Sequence, residues 1–160
     1  MHDELKIVSF DPTYAADFAQ LNYAWIEKYF EIEPHDREVL DNPQQVIIDT
    51  GGEVFFALIS GQAVGTTAMI RSDQATFELT KMAVDPDYQG NGIANHLMDA
   101  CIKFARSQKA STIFLETNSK LSTAIGLYRK FGFVETPLDP NSQYSRADLR
   151  MELALKGTNL

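Results

Sequence analysis

The chain has 160 residues, of which 44% are hydrophobic and 22% charged, so it is expected to form one ordinary domain over 1–160, and wholesale disorder is excluded. A net charge of −8 excludes a general nucleic-acid binder, which needs a basic footprint, and one cysteine excludes a disulfide framework or a cysteine-rich zinc site. No long apolar run follows the acidic start MHDELK, so the expectation is a soluble cytoplasmic protein with no signal peptide and no membrane span.

Leu5–Phe10 alternates and reads as a short strand. From Tyr14 to Phe30 the apolar residues recur at helical spacing, and Pro34 breaks that helix. His35–Leu40 reads as a second short helix, stopped before Pro43, and Thr50-Gly51-Gly52 as a turn. Val54–Ser60 and Ala63–Arg71 flank Gly61-Gln62 as a hairpin, and Ala75–Val84 adds a third strand to the meander. Ile93 to Gln108 is a strongly amphipathic helix with Ile93, Leu97, Met98, Cys101, Phe104 and Ala105 on one stripe. Thr112–Glu116 is a strand, and Thr123–Phe131 a helix closed by Gly132. Phe133–Glu135 and Leu149–Leu155 are the last strands. This order predicts a mixed α/β sheet with helices on both faces.

Charge is unevenly placed. Residues 1–53 carry twelve acidic and three basic side chains, and residues 54–160 carry ten and eleven, so the whole excess lies in the first third. Glu27, Glu31, Glu33, Asp36 and Glu38 gather around Pro34, beside Trp25, Tyr29 and Phe30. They read either as a solvated helix surface or as a site that attracts a cation through charge and aromatic faces.

The segment that carries chemistry is Asp85–Ala94, DPDYQGNGIA, between a strand and the most amphipathic helix. Gly90 and Gly92 let backbone N–H groups converge, and the helix N-terminus adds about half a positive charge. Together they make a cradle for a phosphate or pyrophosphate. A dinucleotide fingerprint fits poorly, because its third glycine is replaced by Asn95 and the preceding strand belongs to a meander. No Gly-Lys-Ser/Thr follows, which excludes a Walker loop.

The spacing Gln89-x-x-Gly92-x-Ala94 resembles the acetyl-CoA pyrophosphate loop of the GNAT superfamily of N-acetyltransferases. Glu78–Val84 (ELTKMAV) is similar to that family's central strand, and Ala124–Phe133 (AIGLYRKFGF) to its later helix and following Gly-Phe. The LETNSK…LYRKFGF stretch with the SRADLRMELAL tail further resembles a common bacterial branch, some of whose members are fused to a MarR-type DNA-binding domain that is not present here. The resemblance implies the GNAT fold: a mostly antiparallel sheet of six to seven strands with helices on both faces. It implies an acetyl-CoA-dependent N-acetyltransferase that passes an acetyl group directly to a primary amine. A non-catalytic acyl-CoA-binding or sensing module of the same fold is the alternative. Family members are often dimers, which leaves a homodimer open.

By the same resemblance, Met82, Ala83 and Val84 offer backbone groups to pantetheine, with the amide near Met82 as oxyanion donor. Gln89, Gly90, Asn91, Gly92, Ile93 and Ala94 bind the pyrophosphate. Tyr128 matches the tyrosine that protonates the leaving thiolate. Glu78 matches the base of the histone-acetyltransferase branch, with water as the other candidate; period-two alternation puts it on one sheet face with Met82. Leu121 stands where many members have a pantetheine-contacting Asn, so Asn118 either substitutes for it or caps the helix. Lys120 reads as solvated, although a CoA phosphate is within its expected reach. Trp25, Tyr29, Phe30 and Glu31 wall the acceptor side, and the acidic surplus there predicts a cationic acceptor. Cys101 reads as core. His2, His35 and His96 have no metal-ligand spacing, so no metal is expected.

Overall fold

The computed structural model describes residues 4–155. Seven strands form one sheet in the order β1-β2-β3-β4-β5-β7-β6, where β1 is Leu5–Ser9, β2 Glu53–Ile59, β3 Gln62–Asp73, β4 Thr76–Val84, β5 Thr112–Thr117, β6 Val134–Thr136 and β7 Leu149–Ala154. Every neighbouring pair is antiparallel except β4 with β5. Four helices complete the fold: α1 (Ala15–Tyr29), α2 (Pro34–Asp41), α3 (Ile93–Ser107) and α4 (Ser122–Lys130). This is the mixed, mostly antiparallel sheet expected from the sequence. No helix among the described residues is long and apolar enough to cross a membrane.

The sheet has a core on each face. Phe18 and Ile26 of α1 and Val39 and Leu40 of α2 pack with Phe56 and Val54 of β2. On the other face Met98, Cys101 and Ala105 of α3 pack with Phe77 and Leu79 of β4, Ile113 and Leu115 of β5, and Ile125 of α4. The α3 stripe is buried at Ile93, Leu97, Met98, Cys101 and Ala105, with Phe104 only partly covered, and each fully buried large side chain contributes about 1.5–3 kcal/mol.

Pro34 opens α2 as its first residue, where a missing N–H costs nothing, while α1 has already ended at Tyr29. Glu33 caps α2, and the Asp36 side chain returns the bond to the Glu33 N–H. A five-residue π-helical turn, Gln44–Ile48, follows Pro43 where no regular element was expected.

Two irregularities in β4 shape the functional site. Its parallel pairing with β5 runs only from Thr76↔Thr112 to Glu78↔Phe114, although β4 continues to Val84 and β5 to Thr117. The strands therefore splay beyond Glu78. On its other edge β4 bulges against β3: Thr66 faces Ala83 and Ala68 faces Thr80, so Lys81 and Met82 together oppose Thr67. Lys81 sits at φ 57°, a left-handed conformation that is unusual for a non-glycine residue in a strand. The bulge overturns the expectation that Glu78 and Met82 share a face. Met82 packs with the α3 side beside Leu79, whereas Glu78 alternates with Phe77 and Leu79 and faces the α1–α2 side. Period-two reasoning fails across an inserted residue.

Candidate active site

A cleft of about 710 Å³ opens where β4 and β5 part. Its walls are β4 from Leu79 to Val84, the loop into α3, the end of β5 with the start of α4, the Trp25–Phe30 end of α1, and Tyr144 and Arg146 from the segment before β7.

At one end lies the glycine loop. Gly90 (φ 85°) and Gly92 (φ 75°) are both left-handed, and a Cβ at either would meet no protein atom within 4 Å. The space beside them is open. Gly92 is the N-cap of α3 with no side-chain cap bond, and the first turn holds no acidic residue, so the leading amides of α3 have no side-chain acceptor there. Gln89, Gly90, Gly92, Ile93 and Ala94 line the cleft. Asn91 does not: its amide turns back to the Tyr88 carbonyl at 2.9 Å. The Gln89 side chain reaches the Val84 carbonyl at 3.3 Å and ties the loop to the strand end. The donor set, backbone amides beside open space, fits a pyrophosphate.

Along the middle, Met82, Ala83 and Val84 line one wall and Tyr128 the other. The Tyr128 ring lies 6.0 Å from Phe133, and burial pushes its hydroxyl up to about 12, so it is protonated at neutral pH. Asn118 lines the cleft and is not the α4 cap. Its side-chain amide donates to the Arg146 carbonyl at 2.8 Å, and its oxygen accepts from the Lys120 N–H at 3.0 Å.

The Trp25–Phe30 end holds Lys81, Glu116, Tyr144 and Arg146, which sequence reasoning missed. Asp36 is fully buried and accepts from Lys81 Nζ and, at 2.9 and 2.6 Å, from both terminal nitrogens of Arg146. Burial alone would raise its carboxyl, but the Arg146 and Lys81 hydrogen bonds hold it far below the usual range. Lys81 also donates to the Tyr144 hydroxyl at 2.9 Å, and burial lowers its ammonium against the pull of Asp36. Glu33 accepts from Arg146 at 3.2 Å and from the Ser145 N–H at 2.9 Å. Glu33 and Asp36 are thus internal counter-ions, not a free negative field. Glu31 is exposed and does not line the cleft. Trp25, Tyr29 and Phe30 do line it, but the chain's own cations already sit against two of these rings: Lys28 over Tyr29 at 5.4 Å, and Lys120 and Arg146 over Phe30 at 4.6 and 5.8 Å. Glu33, Asp36 and the Tyr29 and Phe30 rings, part of what suggested a cationic acceptor, are thus already engaged by the chain's own cations.

Among the described residues Glu116 is the one carboxylate that lines the cleft, and it accepts from the Ser142 hydroxyl at 2.7 Å. Glu78 lies on the same sheet face but is not part of the cleft wall. Burial first, then the charge of Glu116, push its carboxyl up to about 7, against the opposing pull of Lys81 and Arg150. The Cys101 thiol is buried and pushed up to about 12, which removes it as a nucleophile. His96 is exposed, and His35 stacks on Tyr144 at 5.1 Å; His2 lies outside the described residues. No group of three or more His, Cys, Asp or Glu among the described residues could hold a metal.

The cleft thus lies where the sheet splays beside a glycine-capped helix. The profile of the acetyltransferase (GNAT) family matches residues 18–133, and the chain belongs to that family of acyltransferases. It is 38% identical over 85 residues to an N-acetylaspartate synthetase of Danio rerio, covering 52% of this chain and 30% of that protein. It is 36% identical over 69 residues to the [ribosomal protein bS18]-alanine N-acetyltransferase of Escherichia coli K12, covering 43% and 45%. The chain spans less than half the length of these curated relatives. A GNAT acetyltransferase of Staphylococcus aureus Mu50 superposes with a TM-score of 0.86 at 23% identity, covering 96% of this chain and 100% of that one. An acetyltransferase of Salmonella typhimurium, solved with acetyl-CoA, superposes at 0.74 with 21% identity, covering 98% and 97%.

Proposed function

We propose that residues 1–160 form one acetyltransferase domain that uses acetyl-CoA and transfers the acetyl group directly to a primary amine. The observation that carries this reading is the open cradle at Gly90 and Gly92, leading straight into the splayed edge of β4. An amine acceptor is supported by the names of the relatives, one an N-acetylaspartate synthetase and one a ribosomal-protein alanine N-acetyltransferase.

When bound, acetyl-CoA supplies an acyl carbonyl already activated as a thioester. The amides of Gly90, Gly92 and the first turn of α3 hold the pyrophosphate. The Met82 N–H donates to the carbonyl oxygen as charge gathers there. Glu116 receives the acceptor ammonium at the cleft wall. Glu78 takes its proton through water, and Tyr128 donates one to the departing sulfur. Cys101 takes no part, so no acyl-enzyme forms.

Saturating acetyl-CoA, at about 100 times Kd, should stabilise the fold by roughly 2.7 kcal/mol in thermal melts. Gly92→Val should cancel that shift, because a β-branched residue at φ 75° is strained and its Cβ would fill the cradle. No shift in the native protein would refute the acetyl-CoA assignment, and an equal shift in the variant would put the cradle elsewhere. CoA release with amines then separates an enzyme from a binding module.

Glu78 also sets a pH dependence. Activity should rise as pH passes about 7 and Glu78 becomes a free carboxylate. Glu78→Gln should remove that limb and leave only the limb of the acceptor amine at higher pH. A limb near 7 that survives the substitution assigns it to another group.

A further inference from the structure

The charges around the acceptor end do not all cancel. Four charged side chains line the cleft: Lys81, Lys120, Arg146 and Glu116. Lys81 and Arg146 have their counter-ions in Asp36 and Glu33. Lys120 has none. Its side chain is exposed, no carboxylate lies within ion-pair distance of it among the described residues, and its one close partner is the Phe30 ring at 4.6 Å. An ammonium held over an aromatic face at the mouth of a cleft, with its donors unspent, is a ready partner for an anion. The same charge opposes a second positive group on any incoming amine.

The pyrophosphate cradle does not account for Lys120. Lys120 precedes α4, whereas Lys130 at the far end of that helix touches Asn95 in the first turn of α3, at 2.7 Å. At 1.5 Å per residue the helix puts roughly 13 Å between its two ends. Lys120 belongs to the Phe30 end of the cleft, where α1 and the segment before β7 meet.

We propose that the acceptor is an amine that also bears a carboxylate, of the amino-acid type, and that Lys120 selects it by taking the carboxylate at the cleft mouth while the ammonium goes to Glu116. This rests on the N-acetyltransferase reading above and stands in place of the cationic acceptor that the charge asymmetry suggested. The chain thus keeps one carboxylate for the substrate's ammonium and one unpaired cation for its carboxylate.

The test is CoA release with matched amines, with rates referred to the neutral-amine fraction: glycine against glycinamide, β-alanine against β-alaninamide, and aspartate against its diamide, with cadaverine as the dication. The carboxylates should have the lower KM. Lys120→Met should raise that KM about tenfold, the worth of one charge-assisted hydrogen bond, and Lys120→Glu should raise it further. The amides and the KM for acetyl-CoA should not move. The proposal is overturned if cadaverine or the amides are preferred, if neither variant changes the carboxylate KM, or if no carboxylate-bearing amine is acetylated although acetyl-CoA binds. It is equally overturned if Lys120→Met weakens acetyl-CoA, which would make the lysine a phosphate contact. Absence of acetyl-CoA binding to the native protein would instead sink the underlying N-acetyltransferase reading.

Discussion

Asp36→Ala should destabilise the protein by about 3–5 kcal/mol, the cost of leaving buried charges without their partner. The side chain is 0% exposed and holds three elements together: α2, to which it belongs, the β4 bulge through Lys81, and the segment before β7 through Arg146. Removing it strands the Lys81 ammonium, which is only 8% exposed and sits in a left-handed backbone. Urea denaturation should show a lower midpoint with an unchanged slope. Adding Lys81→Met should recover part of the loss, because an apolar stem in the same space needs no counter-ion, and the double-mutant cycle should give a clear coupling energy. A loss under about 1 kcal/mol, or strict additivity, would show that water already compensates the cluster. The pH dependence follows from the depressed Asp36 carboxyl. Its contribution is complete above the unfolded value, near 3.9, and is lost as pH falls through that value toward the lower folded one. Asp36→Ala should therefore flatten the acid limb of the stability curve.

This cluster also marks the boundary between what the sequence discloses and what it does not. The elements were legible because their signals are local: the helical period of α3, the Gly61 hairpin, and Gly132 after α4. The glycine turn and the start of α3 were legible for the same reason, since two glycines before an amphipathic run fix both. The Lys81 bulge was not, because an inserted residue is a property of the pairing with β3, and ELTKMAV alternates without a visible break. Nor was the fate of Glu33 and Asp36. Their partner Arg146 stands more than a hundred residues along the chain, so a count of charge by segment reads neutralised groups as a field. Glu116 went unread because period-two alternation makes it one more exposed-face strand residue. Only the parting of β4 and β5 turns that face into a cleft wall.

Tyr128→Phe should lower kcat by about 10²- to 10⁴-fold, the usual worth of a general acid, with little change in acetyl-CoA affinity or in stability. The ring keeps its packing beside Phe133 when the hydroxyl is lost, so the substitution removes one proton donor and little else. Burial pushes the phenol up to about 12, so the group arrives protonated at any physiological pH and no activating partner is needed. A phenol of that strength would be a poor acid toward a solvated thiolate, whose parent thiol titrates near 8.5. In the proposed reaction, however, the sulfur departs into the same cleft, and desolvation that raises the phenol raises a thiol as well. If both rise together the phenol remains the weaker acid by about the ordinary gap of 1.5, small enough for a proton to pass as the carbon–sulfur bond of the proposed reaction breaks. The effect should therefore fall on kcat and kcat/KM alike, since the interaction exists only in the transition state. Single-turnover acetyl transfer with enzyme in excess reads the chemical step free of product release. A fall of less than threefold there would return Tyr128 to a packing role and leave thiolate protonation to water. A rise in the KM for acetyl-CoA at unchanged kcat would instead make the hydroxyl a ground-state contact.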